Sequence, residues 1–161
     1  KVKLLPCDKI EGSSIVIDGY NIIIGMESVI EKKAFLCDDG VIRDTRGAFR
    51  NFKVSPNTEE AVKLIMEFLK EKKPEKVVFL LDSQISKSGM LAGMLRARLG
   101  EMGLKGDART SKHVDHGLKR CREIVATSDG VIIDEAGNVV NFLYCLVTRF
   151  KFLEIQLNNP F

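Results

Sequence analysis

The chain has 161 residues, 45% of them hydrophobic and 29% charged, with a formal charge of +3. One domain of this length buries most of its apolar surface without disulfides or a structural metal, and two domains would be cramped. No apolar run approaches the roughly 20 residues that cross a bilayer, so a cytoplasmic protein with no membrane partner is expected. Lys1 to Leu5 carry no signal-peptide pattern, and a start on Lys1 rather than Met reads as a single domain over 1–161 or the C-terminal part of a longer protein.

Cys7, Cys37, Cys121 and Cys145 are too widely spaced for a zinc or redox pair, and all four read as free thiols. Ser14 to Ile17 is a short β-branched run that ends at Asp18-Gly19, as a buried strand does. The apolar stretch from Ile22 to Ile30 predicts a helix. Asp39-Gly40 between two short apolar runs predicts a hairpin outside the main sheet. Ala61, Val62, Leu64, Ile65, Phe68 and Leu69 follow helical spacing over 57–72, with Asn57 and Glu60 as the expected capping pair behind Pro56.

Lys76 to Leu81 reads as a second central strand that delivers Asp82 at its end. A helix from near Ser88 to Gly103 carries Leu91, Met94, Leu95, Leu99 and Met102 inward. Residues 104–110 are a strand candidate, and Val114, Leu118 and Cys121 mark a short helix. Glu123 to Thr127 is a third apolar strand before Ser128-Asp129-Gly130. Asn138 is expected to cap a helix from Val139 to Phe150, followed by a strand over 152–157. Strands and helices that alternate in this way predict an α/β fold, with a mainly parallel sheet of about five strands covered by helices on both faces.

Three of these strands end on an aspartate: Asp18, Asp82 and Asp129. The carboxyl ends of parallel strands share one edge, so the three acids are expected to be neighbours and to repel. Hard cations such as Mg²⁺ and Mn²⁺, which take oxygen ligands, relieve that repulsion. Each aspartate alone has a plainer use in a turn or at a helix start. Between Lys87 and Arg122 nine basic residues face three acids, an excess that a solvated helical face also carries.

Ile17-Asp18-Gly19-Tyr20-Asn21-Ile22 resembles the opening motif of the NYN branch of the PIN-like nucleases. Lys112-His113-Val114-Asp115 is similar to that branch's Lys-Gly-Val-Asp element, with His113 in place of glycine. Ala126-Thr127-Ser128-Asp129 is similar to the superfamily's late Thr/Ser-Asp motif, although Gly130 follows where many relatives have another acid. Asp82 stands where NYN domains often place an acid. Asp38 to Asp44 further resembles an uncharacterised prokaryotic PIN-like family, which often carries a helical domain ahead of this one.

The resemblance implies a PIN-like, Rossmann-like three-layer sandwich and metal-dependent hydrolysis of RNA. Asp18, Asp82, Asp115 and Asp129 would hold Mg²⁺ or Mn²⁺, and Asn21 would orient a carboxylate or the substrate phosphate. Arg43, Arg46, Lys87, Arg96, Lys112 and Lys119, with Arg50, would track the nucleic-acid backbone. A catalytically weak RNA-binding or assembly module of the same fold is the alternative. A metal-dependent phosphatase is a third reading, against which Gly19 and Tyr20 replace the Asp-x-Asp pattern of one such family. Asp134, after Val131 to Ile133, is expected in a solvent-facing turn, outside the site.

Overall fold

A computed structural model of the protein describes residues 4–44, 51–151 and 156–157. Arg46, Arg50 and residues 152–155 of the expected last strand lie outside the described residues. After a 3₁₀ turn over Cys7–Ile10, strand β1 (Ser14–Asp18) runs directly into helix α1 (Gly19–Ile30). Gly19 permits that junction. A Cβ there would meet the Leu80 carbonyl oxygen at 2.8 Å and collide with the Leu81 side chain.

The Asp39-Gly40 hairpin pairs β2 (Ala34–Leu36) with β3 (Ile42–Asp44), and Gly40 turns the chain at a φ of 82°. Helix α2 (Pro56–Lys72) is capped by Ser55 and Thr58, which exchange side-chain and backbone hydrogen bonds. The expected Asn57 and Glu60 pair is therefore not the cap. Pro56 fits the first helical position, where a missing N–H is no loss, so the cap falls on the residue before it. Asn57 instead donates to Glu31 Oε2 at 2.9 Å.

Strand β4 (Lys76–Asp82), helix α3 (Ser88–Glu101), strand β5 (Gly106–Ser111), helix α4 (Val114–Lys119) and strand β6 (Ile124–Ala126) follow the predicted order. The next segment departs from expectation. Gly130–Glu135 is helix α5, with Asp134 on its exposed side rather than in a turn. Asn138 caps nothing, because its carbonyl accepts from Val125 N at 2.8 Å and carries the chain into strand β7 (Val139–Val140). Helix α6 (Phe142–Phe150) starts after Asn141. Strand β8 (Gln156–Leu157) joins β2 in a separate small sheet of order β3-β2-β8.

The central sheet is parallel throughout, in the order β5-β4-β1-β6-β7. The strand pleat divides the core in two. Ile15, Ile17, Val77, Phe79 and Leu81 face the larger cluster with α1, α2, α3 and α6. Val16, Leu80, Val125 and Val139 face Leu118 of α4 with Ile132 and Ile133 of α5. The result is the expected Rossmann-like three-layer sandwich. Among the described residues no helix is long and apolar enough to cross a membrane.

Cys7 and Cys145 form a disulfide across 138 residues, which corrects the reading of all four cysteines as free; Cys37 and Cys121 are free. Leu5 N donates to Val139 O at 2.7 Å and lays the first turn along β7, so Cys7 meets the buried face of α6.

Candidate functional site

The strand order sets where a ligand binds. From β1 the chain moves outward through β4 and β5, then crosses back to β6 and β7, so the order reverses between β1 and β6. In open α/β sheets such a switch point leaves a crevice at the carboxyl ends of the two strands. Asp18 ends β1 in that crevice, and Thr127, Ser128 and Asp129 follow β6.

Asp18 is 8% exposed, and it occupies the residue before α1 without capping the helix. Its Oδ2 instead accepts the Thr127 hydroxyl at 2.8 Å. Its carboxyl is raised to about 7: burial is the largest cause, the Thr127 hydrogen bond opposes it, and the charges of Asp115 and Asp129 add to the rise. Asn21 faces the same crevice from the first turn of α1. Its Oδ1 accepts the Ser128 N–H at 2.7 Å, which leaves its amide nitrogen with no protein acceptor among the described residues. Asn21, Arg43, Ser128 and Asp129 line a cavity of about 320 Å³.

Asp129 Oδ1 caps α5, accepting from Val131 N at 2.9 Å and Ile132 N at 3.3 Å. Asp82 Oδ1 likewise closes a turn by accepting from Gln84 N at 2.8 Å. Both acids thus fill the ordinary turn and helix-start uses of aspartate, each with its second oxygen unbonded among the described residues. Asp115 lies in the first turn of α4 and is exposed.

The four predicted acids do not form one tight group. Asp18 is opposite Leu80 in the register, so Asp82 stands two residues, or roughly 7 Å, further out along β4. The charge of Asp82 acts on Tyr20, whose phenol burial and Asp82 together push up to about 12. Among the described residues no three His, Cys, Asp or Glu side chains stand together as a ready metal cage. None of Asp18, Asp82, Asp115 and Asp129 has an ion-pair partner there either.

The predicted basic residues are placed unequally. Arg43 is committed: its Nε donates to Ser128 O at 3.0 Å and its guanidinium grips Asp39 through two bonds, so it ties the hairpin to the crevice. Arg96 donates to Ala108 O at 2.7 Å, holding α3 to β5. Lys87 is exposed at the start of α3. Lys112 and Lys119 line a second cavity of about 680 Å³, with Asp82 and Asp115 in the same wall. His116 and Arg120 join them there. Sequence reasoning quoted Thr127 and Ser128 only as part of the late motif and gave neither a role of its own. Two polar residues directly after a buried apolar strand, here 1% and 5% exposed, are the signal that marks them.

Fold and crevice together define an α/β protein of the Rossmann-like type with an acidic switch point. The chain belongs to the family described as "Domain of unknown function (DUF5616)", which matches residues 7–145. It is also similar to the uncharacterized protein MJ0935 of Methanocaldococcus jannaschii, with 37% identity over 134 residues, 83% of this chain. The match spans 64% of that relative's length.

Proposed function

We propose that this protein is a divalent-metal-dependent endoribonuclease of the PIN-like, NYN type that hydrolyses RNA phosphodiesters. Asp18 carries the reading. A buried carboxyl that declines its helix cap, is oriented by a hydroxyl 109 residues away and faces two further acids is costly without a ligand.

The donor set fits a hard cation. Among the described residues Asp18, Asp82 and Asp129 each present one unbonded oxygen while the other is fixed by a hydrogen bond, the kind of support that holds metal ligands in place. Mg²⁺ commonly takes one or two carboxylates and keeps several waters, so a complete protein cage is not required. Asp18 would hold the ion directly, Asp115 and Asp129 would reach it through its waters, and Asp82 would lie nearer the incoming strand. A bound Mg²⁺ or Mn²⁺ supplies charge against a phosphate oxygen and lowers the pKa of a water. Thr127 keeps Asp18 aimed, and Asn21 offers its amide nitrogen as a neutral donor to a phosphate oxygen. Cytoplasm is the compartment proposed for this activity, although the disulfide is unusual there.

The test is cleavage of a labelled single-stranded RNA in Mn²⁺. EDTA should stop it, and Asp18→Asn should slow it by more than tenfold with RNA binding retained. RNA that is bound but cut under no metal condition would assign the fold to a binding module instead.

A further inference from the structure

The second cavity differs from the crevice in its electrostatics. Helix α4 is six residues long, about 9 Å, and it places basic groups at both ends of one pocket. Lys112 and His113 precede it, His116 sits in its middle, and Lys119 and Arg120 close it. Lys119 is paired with Glu135 at 3.5 Å. The other four have no acid within ion-pair distance among the described residues.

A groove that follows a nucleic-acid backbone spreads its cations along the strand, because each diester carries one charge. Here the unpaired groups line one cavity of about 680 Å³. Such a cluster matches a phosphomonoester, which carries roughly −1.5 to −2 at neutral pH and offers three acceptor oxygens. Asp82 and Asp115 in the same wall would repel a bare anion, yet they accept hydrogen bonds from the hydroxyls of a sugar.

We infer that this cavity binds a terminal phosphomonoester on a nucleotide, with the phosphate against Lys112 and Arg120 and the sugar hydroxyls toward Asp82 and Asp115. The pocket shares Asp82 and Asp115 with the proposed metal site, and the inference rests on the nuclease reading for RNA as the polymer that bears the phosphate.

Fluorescence anisotropy in EDTA tests it with one labelled single-stranded RNA prepared with a 5′-phosphate, a 3′-phosphate or two hydroxyl ends. One phosphorylated form should bind at least fivefold more tightly than the hydroxyl form. Lys112→Gln with Arg120→Gln should bring the two within twofold, at an unchanged melting temperature, since both residues are exposed. Equal affinities in the wild type, or a preference that survives the double variant, overturn the inference. Adenosine 5′-monophosphate as competitor separates the sources: displacement at the concentration of the phosphorylated RNA assigns a free nucleotide, and weaker displacement a polynucleotide end. Mn²⁺-dependent cleavage without any phosphate preference sinks the pocket and leaves the nuclease standing. A preference without cleavage does the reverse.

Discussion

Two neighbouring strand ends are spelled almost alike, Ile17-Asp18-Gly19 at the end of β1 and Ser128-Asp129-Gly130 after β6, and each leads into a helix. Asp129 turns its carboxylate onto the backbone of its own helix; Asp18 gives its helix nothing and takes a hydroxyl from the other strand end. The first position is explained by local structure. The second is not, because a buried acid oriented by a remote side chain adds repulsion that only a ligand or a proton removes. An aspartate at a strand end therefore marks a site by what it fails to do locally.

The largest consequence is in the pH dependence of stability. In the folded state the Asp18 carboxyl titrates near 7, against an ordinary value of 3.8. Between those values the folded protein binds the proton more tightly than the unfolded chain, so the contribution of Asp18 to metal-free stability falls as pH rises from about 4 to 7 and is constant above. Three pH units correspond to about 4 kcal/mol at 1.36 kcal/mol per unit. Urea unfolding in EDTA should show this loss in the wild type, no such loss in Asp18→Asn and a reduced slope in Asp129→Asn. Equal slopes in all three would erase the contrast between the two strand ends.

Metal should act on the same group with a smaller effect. If Mn²⁺ binds at about 1 mM, 10 mM stabilises the fold by about 1.4 kcal/mol, enough to raise the melting temperature by a few degrees. The rise should vanish in Asp18→Asn, with ionic strength matched. A melting temperature that ignores Mn²⁺ in the wild type would count against a metal site of any composition.

Asp129 should separate its two uses. Asp129→Ala removes the cap on α5 and should cost about 1 kcal/mol in urea unfolding, whereas Asp129→Asn keeps an acceptor for Val131 N and Ile132 N and should cost a few tenths. Should the two variants unfold alike, the cap is not what holds the Asp129 side chain.

The sequence made the central sheet legible because its strands are short apolar runs with sharp ends, as at Val77 to Asp82, and because α2 carries its apolar stripe in one uninterrupted period. The strand-end acids were legible for the same reason. What escaped depends on partners far away in the chain. Nothing near Cys7 announces Cys145, and nothing near Asp18 announces Thr127. The helix at Gly130–Glu135 was hidden because Val131-Ile132-Ile133 is β-branched and too short to display a period, so only its Asp129 cap and the packing of Ile132 and Ile133 fix it. The residue pair Val139-Val140 was assigned to a helix because its strand exists only through the edge that β6 offers.

The smallest expected effect belongs to Asp134, and it tests whether position or charge governs the site. Asp115, Asp129 and Asp134 all follow β5 in sequence, and a scheme based on charge alone would treat them as equivalents. The structure separates them: the charges of Asp115 and Asp129 act on Asp18, whereas Asp134 is exposed near the far end of α5 and is not among the groups that act on it. Calorimetric titration with Mn²⁺ should therefore give Asp134→Ala the wild-type affinity within about twofold, less than about 0.4 kcal/mol. Asp115→Ala and Asp129→Asn, the latter chosen to keep the α5 cap, should each weaken binding by tenfold or more. If Asp134→Ala is as damaging as Asp129→Asn while Asp115→Ala is silent, the ion sits over α5 and not in the crevice between β1 and β6.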